Sequence, residues 1–298
     1  MRGGNIKTEY QKKDKQTRQF LKIVNRALKE DIGRGDITTD AVVSEEDRAL
    51  GVIFAKEDGI LCGVDIAQMV FEQLDDTIDF QKQLDDGGAL SPGVTIAIII
   101  GRASTCLKGE RTALNFMQHL SGIATLTRQC ADGAGGSIRL LDTRKTLPGL
   151  RVMEKYAVRV GGGINHRFGL YDMVMIKDNH IQIAGSITEA VRRVRKRRPK
   201  AFIEVEVKTQ EELREAIALK VSRVMLDNMT QNQIIQAVDL TRHAEHSIEI
   251  ELSGGINLAN IAQYVDCGAD FVSVGALTHS AKALDIALKM KPLAPKST

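Results

Sequence analysis

From about residue 137 onward the chain repeats one pattern, a short apolar run that ends at a charged, hydroxyl or glycine position. Ile138-Arg139-Leu140-Leu141 runs into Asp142-Thr143-Arg144-Lys145, and Met173-Val174-Met175-Ile176 into Lys177-Asp178. Phe202-Ile203-Glu204-Val205 leads to Glu206, and Val224-Met225-Leu226 to Asp227-Asn228. Ile248 to Leu252 meets Ser253-Gly254-Gly255, and Phe271-Val272-Ser273-Val274 meets Gly275-Ala276. Most steps are about as long as one strand, one helix and two loops. Parallel strands joined by helices bring all their C-terminal ends to one face, and in barrels that face carries the chemistry. The repeat therefore predicts one site where Arg, Lys, Glu, Asp and glycine-rich backbone converge.

The length of 298 residues allows one or two domains with a substantial core. A net charge of +3 gives no global argument for nucleic acid or an anionic membrane surface. Cys62, Cys106, Cys130 and Cys267 are scattered without a CxxC pair, which suits buried free thiols in a reducing compartment. The longest apolar run, Val94 to Ile100, is too short to cross a bilayer. Met1 to Arg18 is polar and basic, and reads as a disordered lead-in and not as a signal peptide. A cytoplasmic chain is expected.

Ahead of the repeat, helical spacing is visible at Phe20 to Leu28, and again at Val64 to Leu74. Strand-like pieces occupy Leu50 to Ala55 and Ile60 to Cys62, and Asp85 to Ala97 reads as a hairpin running into a strand. Glu110 to Cys130 is a long amphipathic helix. Later helices are expected at Leu150–Val160, Ile187–Arg198, Glu211–Leu219, Gln231–Arg242 and Leu258–Val265. The chain thus reads as a mixed α/β domain followed by a (β/α) barrel-like domain.

Three clusters carry the chemistry. Arg144 and Lys145, His166 and Arg167, and Lys177 fall at strand ends or in the loop after Gly161-Gly162-Gly163. Cations gathered in a cleft are costly without a counter-charge, so they imply an anionic substrate. Arg suits planar carboxylate or phosphate, and Lys supplies a movable point charge. Glu206 and Asp227 end consecutive strands, a pairing suited to Mg²⁺, sugar hydroxyls or a shared proton. Ser253-Gly254-Gly255 and Val274-Gly275-Ala276, with His279 shortly after, are glycine-rich turns of the kind that surround a phosphate with backbone N–H groups. The basic run Arg192 to Lys200 closes an exposed helix, where cations suit the C-terminal dipole, and no aromatic RNA-binding motif accompanies it. These residues imply a multiply anionic, phosphate-bearing substrate with Mg²⁺. Sugar-phosphate isomerases, aldolases and phosphoribosyl transferases all fit.

The local strings distinguish among these. Glu30-Asp31-Ile32-Gly33-Arg34-Gly35-Asp36-Ile37-Thr38-Thr39, Gly109-Glu110-Arg111-Thr112-Ala113-Leu114-Asn115-Phe116 and Leu120-Ser121-Gly122-Ile123-Ala124-Thr125 resemble motifs of the quinolinate phosphoribosyltransferase family. So do Asp142-Thr143-Arg144-Lys145-Thr146, Asn165-His166-Arg167, Ile176-Lys177-Asp178-Asn179-His180, Leu226-Asp227-Asn228, Ser253-Gly254-Gly255-Ile256 and Ser273 to Ser280. The resemblance runs through roughly residues 21 to 290 in the family's order. Leu147, where many members have threonine, and the basic lead-in depart from the pattern.

That resemblance implies an α/β fold, with an N-terminal open α/β sandwich domain and an incomplete, seven-stranded α/β barrel. It divides the chain into a disordered lead-in (1–18), a sandwich domain (19–118 with a C-terminal helix in 281–298) and a phosphoribosyltransferase barrel (119–280). It implies transfer of phosphoribosyl from 5-phosphoribosyl 1-diphosphate to quinolinate with decarboxylation, in NAD biosynthesis. Carried over by position, Arg111, Arg144, Lys145, His166 and Arg167 hold the quinolinate carboxylates. Lys177, Glu206 and Asp227 are the catalytic set around the ribose diphosphate, with Glu206 and Asp227 on Mg²⁺, directly or through water. Ser253, Gly254, Gly255, Gly275 and His279 cradle the 5-phosphate, and Thr143, Val274 and Ala276 also line the substrate. The resemblance further implies a homodimer, or a hexamer of dimers, with Arg111 supplied by the neighbouring subunit, and no nucleic acid or membrane partner. A ModD-type relative from molybdenum-transport operons and a non-catalytic nucleotide sensor are the alternatives.

Overall fold

The computed structural model describes residues 14–294, which fall into two compact units. Of the lead-in, residues 1–13 lie outside the described residues, but Lys15 to Arg18 already belong to a helix. That helix, α1 (Lys15–Ile32), starts where the Asp14 carboxylate accepts the backbone N–H groups of Gln16 and Thr17 at 2.7 and 2.9 Å. Phe20, Val24 and Leu28, four residues apart, form its buried stripe. A short α2 (Ile37–Val42) is capped in the same way by Asp36.

Next come β1 (Arg48–Ala55), β2 (Gly59–Ile60), α3 (Val64–Leu74), β3 (Asp79–Lys82), β4 (Ala89–Leu90) and β5 (Thr95–Arg102). In β1, burial alternates residue by residue, as expected for a strand with one face on a core. Helix α4 (Ala103–Gly133) extends the amphipathic segment at both ends.

The second unit begins within α4 at Thr127 and contains β6 (Arg139–Leu141). The chain then returns to the first unit for residues 147–161, which include α5 (Arg151–Val160). This differs from an uninterrupted 119–280 barrel, and the reason is visible in the burial. The carboxylate of Glu154, fully buried, accepts from the Leu147 backbone at 3.2 Å and contacts His119 Nε2 of α4 at 2.9 Å.

The rest of the second unit alternates strand and helix: β7 (Val174–Ile176), α6 (Asp178–Ala184), α7 (Ile187–Arg197), β8 (Ile203–Val207), α8 (Gln210–Ala218), β9 (Arg223–Asp227), α9 (Gln231–Arg242), β10 (Glu249–Ser253), β11 (Phe271–Ser273) and α10 (Ala276–His279). Its six strands are parallel, in the order β6-β11-β10-β9-β8-β7, and make a partial α/β barrel. Where a seventh strand was expected, Ile164 makes a single parallel bridge to Leu141 at the end of β6. Every residue of β8 is buried, as parallel strands covered on both faces require.

Two expected helices are absent. Leu258–Val265 forms only a 3₁₀ turn at Ile261–Tyr264. There Asn257 and Asn260 side chains hydrogen-bond the local backbone and compete with helix formation. The C-terminal segment, expected as a helix, is instead β12 (Ile286–Leu293), antiparallel to β1 from Ile286 opposite Ala55 to Leu293 opposite Arg48. The first unit's sheet thus runs β12-β1-β5-β3. An unpaired β1 edge would expose a row of backbone groups, and β12 satisfies them, with Pro292 tolerated because β12 is itself an edge strand.

Candidate active site

The strand order fixes which side chains are neighbours. At the C-terminal ends, Lys145 follows β6, Gly275 follows β11, Ser253 ends β10, Asp227 ends β9, Glu206 lies in β8 and Lys177 follows β7. Phosphate-type glycine turns therefore lie between a cationic corner and a carboxylate corner.

In the cationic corner, Asp142 is fully buried and its carboxylate accepts Asn165 Nδ2 and the His166 backbone N–H, both at 2.8 Å. This ties the 164–167 loop to the end of β6. Arg144 and Lys145 emerge exposed just beyond. Arg167 is partly buried, with Nη1 3.4 Å from the Met173 carbonyl oxygen. Burial lowers the Arg167 pKa, and the neighbouring Arg144 charge lowers it further, so two guanidinium groups share one region. Such repulsion is relieved by an anion between them.

In the carboxylate corner, the Lys177 ammonium contacts the Glu206 carboxylate, which is 7% exposed. Lys177 also opens α6, where its backbone N–H donates to His180 Nδ1 at 3.0 Å. Asp227 pairs in register with Ser253 and accepts Asn228 Nδ2 at 2.9 Å. Two carboxylates at adjacent strand ends are hard oxygen donors of the kind Mg²⁺ takes.

Between the corners, Gly254 has φ +108° and Asn228 φ +55°. A Cβ on Gly254 would lie 2.3 Å from Asn228 Oδ1 and 2.7 Å from its backbone nitrogen, so only glycine fits. A Cβ on Gly275 would be 3.0 Å from Lys145 Cδ and 3.2 Å from His279 Nε2, which brings these three expected site residues together. Thr278 Oγ1 donates to the Lys145 carbonyl oxygen at 2.7 Å and fixes the same corner. Thr143 Oγ1 accepts the Lys145 backbone N–H at 3.0 Å, and Ala276 begins α10.

Val274 and His166 take positions other than those expected, while Arg111 lies in the first unit, as expected. Val274 is fully buried and its N–H goes to the Leu141 carbonyl oxygen, so it shapes the turn from within the core. Arg111 is exposed on α4 in the first unit and not at a strand end of the second. His166 is buried, with Nε2 3.2 Å from both Glu204 Oε2 and Glu251 Oε2. Burial opposes its protonation, but contacts with Glu204 and Glu251 prevail and raise its pKa to about 9. Nδ1, however, accepts the Arg167 backbone N–H at 2.6 Å and so carries no hydrogen itself. The cluster thus keeps one extra proton, shared among His166, Glu204 and Glu251. Burial also raises the Glu204 pKa. The three donor atoms lie within 4.8 Å of one another, a spacing that also suits a metal ion, but Arg223 already supplies positive charge there.

Glu204, Glu251 and Arg223 received no role from the sequence. The signal was present in Ile203-Glu204-Val205-Glu206-Val207 and Glu249-Ile250-Glu251, where acidic residues two apart on an apolar strand must share a face.

The family model "Quinolinate phosphoribosyl transferase, N-terminal domain" matches residues 36–121, and its C-terminal counterpart matches residues 123–289. A Bacillus subtilis (strain 168) protein named "Probable nicotinate-nucleotide pyrophosphorylase (carboxylating)" is 44% identical over 274 residues, covering 91% of this chain and 93% of that protein. The nicotinate-nucleotide pyrophosphorylase (carboxylating) of Mycobacterium leprae (strain TN) is 41% identical over 271 residues, covering 90% and 95%. The crystal structure of NadC from Streptococcus pyogenes superposes with a TM-score of 0.90 at 42% identity, covering 95% of this chain and all of that one.

Proposed function

Because this chain belongs to the quinolinate phosphoribosyltransferase family, we propose that it transfers phosphoribosyl from 5-phosphoribosyl 1-diphosphate to quinolinate, with loss of CO₂. The products are nicotinate mononucleotide, pyrophosphate and CO₂, in the de novo route to NAD. The observation that carries this reading is the order of groups at the strand ends, with cations, then glycine turns, then carboxylates.

Arg144, Lys145 and Arg167 are the ligands of the two quinolinate carboxylates, together with Arg111 of the partner subunit. Ser253, Gly254, Gly255, Gly275 and His279 take the 5-phosphate, where close backbone approach is possible because Gly254 lacks a Cβ. As pyrophosphate leaves, positive charge develops at the ribose C1. The carboxylates of Glu206 and Asp227 favour that charge in a partly desolvated site. Lys177 donates to the departing oxyanion. Mg²⁺ would be held by Glu206 and Asp227, directly or through water, and would supply further positive charge to the diphosphate. Once alkylated, the pyridine nitrogen is cationic and stabilises the electron pair left on the adjacent ring carbon as its carboxylate departs as CO₂. The ring carbon then takes up a proton. No protein nucleophile is required, and the arginines only orient.

The assembly in this reading is a homodimer, or a hexamer of dimers. In its support, Arg111 is exposed, and Leu170 and Tyr171 are large apolar side chains 73% and 80% exposed beside the 164–167 loop. The protein works in the cytoplasm. Its four free cysteines accord with a reducing compartment, and no helix among the described residues is long and apolar enough to cross a membrane.

Purified protein incubated with carboxyl-labelled quinolinate, 5-phosphoribosyl 1-diphosphate and Mg²⁺ should release labelled CO₂ only when all three are present. Tight ligand binding without CO₂ would replace this reading with that of a nucleotide sensor.

A further inference from the structure

Beneath the cationic corner lies a buried layer of charge. Arg223 of β9 is in register with Glu204 of β8 on one side and Glu249 of β10 on the other. Its guanidinium donates to Glu249 Oε2 at 2.6 Å from Nη2 and to Glu251 Oε2 at 3.1 Å from Nη1, and lies over the Phe271 ring at 4.3 Å. Glu204 and Glu251 are both fully buried, and His166 Nε2 sits 3.2 Å from an oxygen of each.

The other contacts of His166 are equally internal. Its backbone N–H is held by Asp142, and Nδ1 accepts the N–H of the next residue, Arg167. An imidazole has two polar atoms, and both face protein groups. Nothing on the ring remains to hydrogen-bond a substrate carboxylate.

Arg167 needs such an anchor. It is half-buried beside Arg144, a like charge that pushes it away, and its guanidinium makes a long, 3.4 Å hydrogen bond to the Met173 carbonyl oxygen. Left to itself, a long side chain relieves that repulsion by swinging into water. Fixing the Arg167 backbone narrows the directions its guanidinium can take, and the nearby Glu204 charge attracts it inward.

We propose that His166 is a positioning residue, clamped between Glu204 and Glu251, which holds the Arg167 backbone so that the guanidinium meets a quinolinate carboxylate, and that its ring does not itself bind substrate. This rests on the assignment of Arg167 as a quinolinate ligand.

A double-mutant cycle separates the possibilities. Quinolinate Kd and the KM of both substrates are measured for His166→Ala, Arg167→Ala, the double variant and Glu251→Gln. Each single substitution should weaken quinolinate binding by about tenfold or more while the KM for 5-phosphoribosyl 1-diphosphate stays within about twofold. The double variant should bind quinolinate no more than about twofold worse than Arg167→Ala alone. Additive losses would mean that the ring contacts substrate, and would overturn the proposal while leaving the site reading intact. Equal damage to both KM values would mean a general structural role and would also overturn it. Glu251→Gln keeps His166 and Arg167 in place, so it carries the test if His166→Ala does not fold. Unaltered quinolinate affinity in folded Glu251→Gln would dismiss the clamp. Unaltered affinity in Arg167→Ala would remove Arg167 from the site, and the site reading would fail with the proposal.

Discussion

Lys177 and Glu206 meet across the ends of the neighbouring parallel strands β7 and β8, and the carboxylate in that pair is almost entirely buried while the lysine is not. The ammonium is therefore the accessible half of the pair and can turn toward an incoming diphosphate. Lys177→Ala should reduce kcat/KM by about 10²-fold. Because the Lys177 side chain is 41% exposed, its removal should change folding stability by no more than about 1 kcal/mol. Steady-state kinetics and urea unfolding on one preparation test both halves. Near-normal turnover in a well-folded variant would exclude Lys177 from the chemistry.

Arg144 lies within electrostatic range of Arg167, so an anion placed between the two guanidinium groups would be attracted by both. Arg144→Ala should weaken quinolinate binding by about 1.5–3 kcal/mol, the range for a hydrogen bond to a charged group. Titration calorimetry reads this directly, and an unchanged Kd would take Arg144 out of the carboxylate site.

Adjacent glycines should respond differently to alanine. At Gly254 a methyl group meets Asn228 at 2.3 Å and the backbone has φ +108°, whereas at Gly255 nothing lies within 4 Å and φ is +62°. Gly254→Ala should displace Asn228 and cost about 3–5 kcal/mol of stability, the overpacking adding to the backbone strain. It should also raise the KM for 5-phosphoribosyl 1-diphosphate. Gly255→Ala should cost only about 1–2 kcal/mol, from its left-handed conformation. Similar melting points for the two variants would contradict this account of the turn.

Complementation tests the subunit assignment. Subunits carrying Arg111→Ala and subunits carrying Lys177→Ala should each be strongly impaired alone. Mixed by co-expression, they should regain activity, because one pocket of the mixed dimer receives Arg111 of the partner subunit with its own Lys177 intact. Verified mixed dimers without recovery would show that each subunit completes its own site.

The buried cluster makes stability depend on pH. Contacts with Glu204 and Glu251 outweigh burial and raise the His166 pKa from 6.5 to about 9, so between those values the folded protein binds more protons than the unfolded chain. Unfolding free energy then falls as pH rises. The stabilisation is complete below pH 6.5 and is lost as pH passes through 9. A loss on the order of 1–3 kcal/mol is expected, and it should vanish in His166→Gln. Denaturant unfolding at several pH values checks the slope, and a rise in stability over that window would refute it.

Much of this was legible because it is local. The apolar runs before Lys177, Glu206, Asp227 and Ser253 have the length and composition of parallel strands, and chain direction alone puts their ends on one face. The family strings then gave those ends their chemistry. Segments whose local preference is balanced were not legible. The stretch from Ile286 to Leu293 suits a helix or a strand, and the open edge of β1 made it a strand. The helix at Arg151–Val160 follows a barrel strand in sequence, yet it packs in the first unit, where Glu154 meets His119.

By itself, the sequence determined the alternation of strands and helices, the charge at each strand end and the family, since each depends on neighbouring residues and chain direction. Tertiary structure alone decided the strand order β6-β11-β10-β9-β8-β7, the antiparallel seating of β12 on β1, and the sealing of His166 between two carboxylates. These follow from hydrogen bonding and burial between groups far apart in the chain, whose energies depend on distance in space and leave no periodic mark on the sequence.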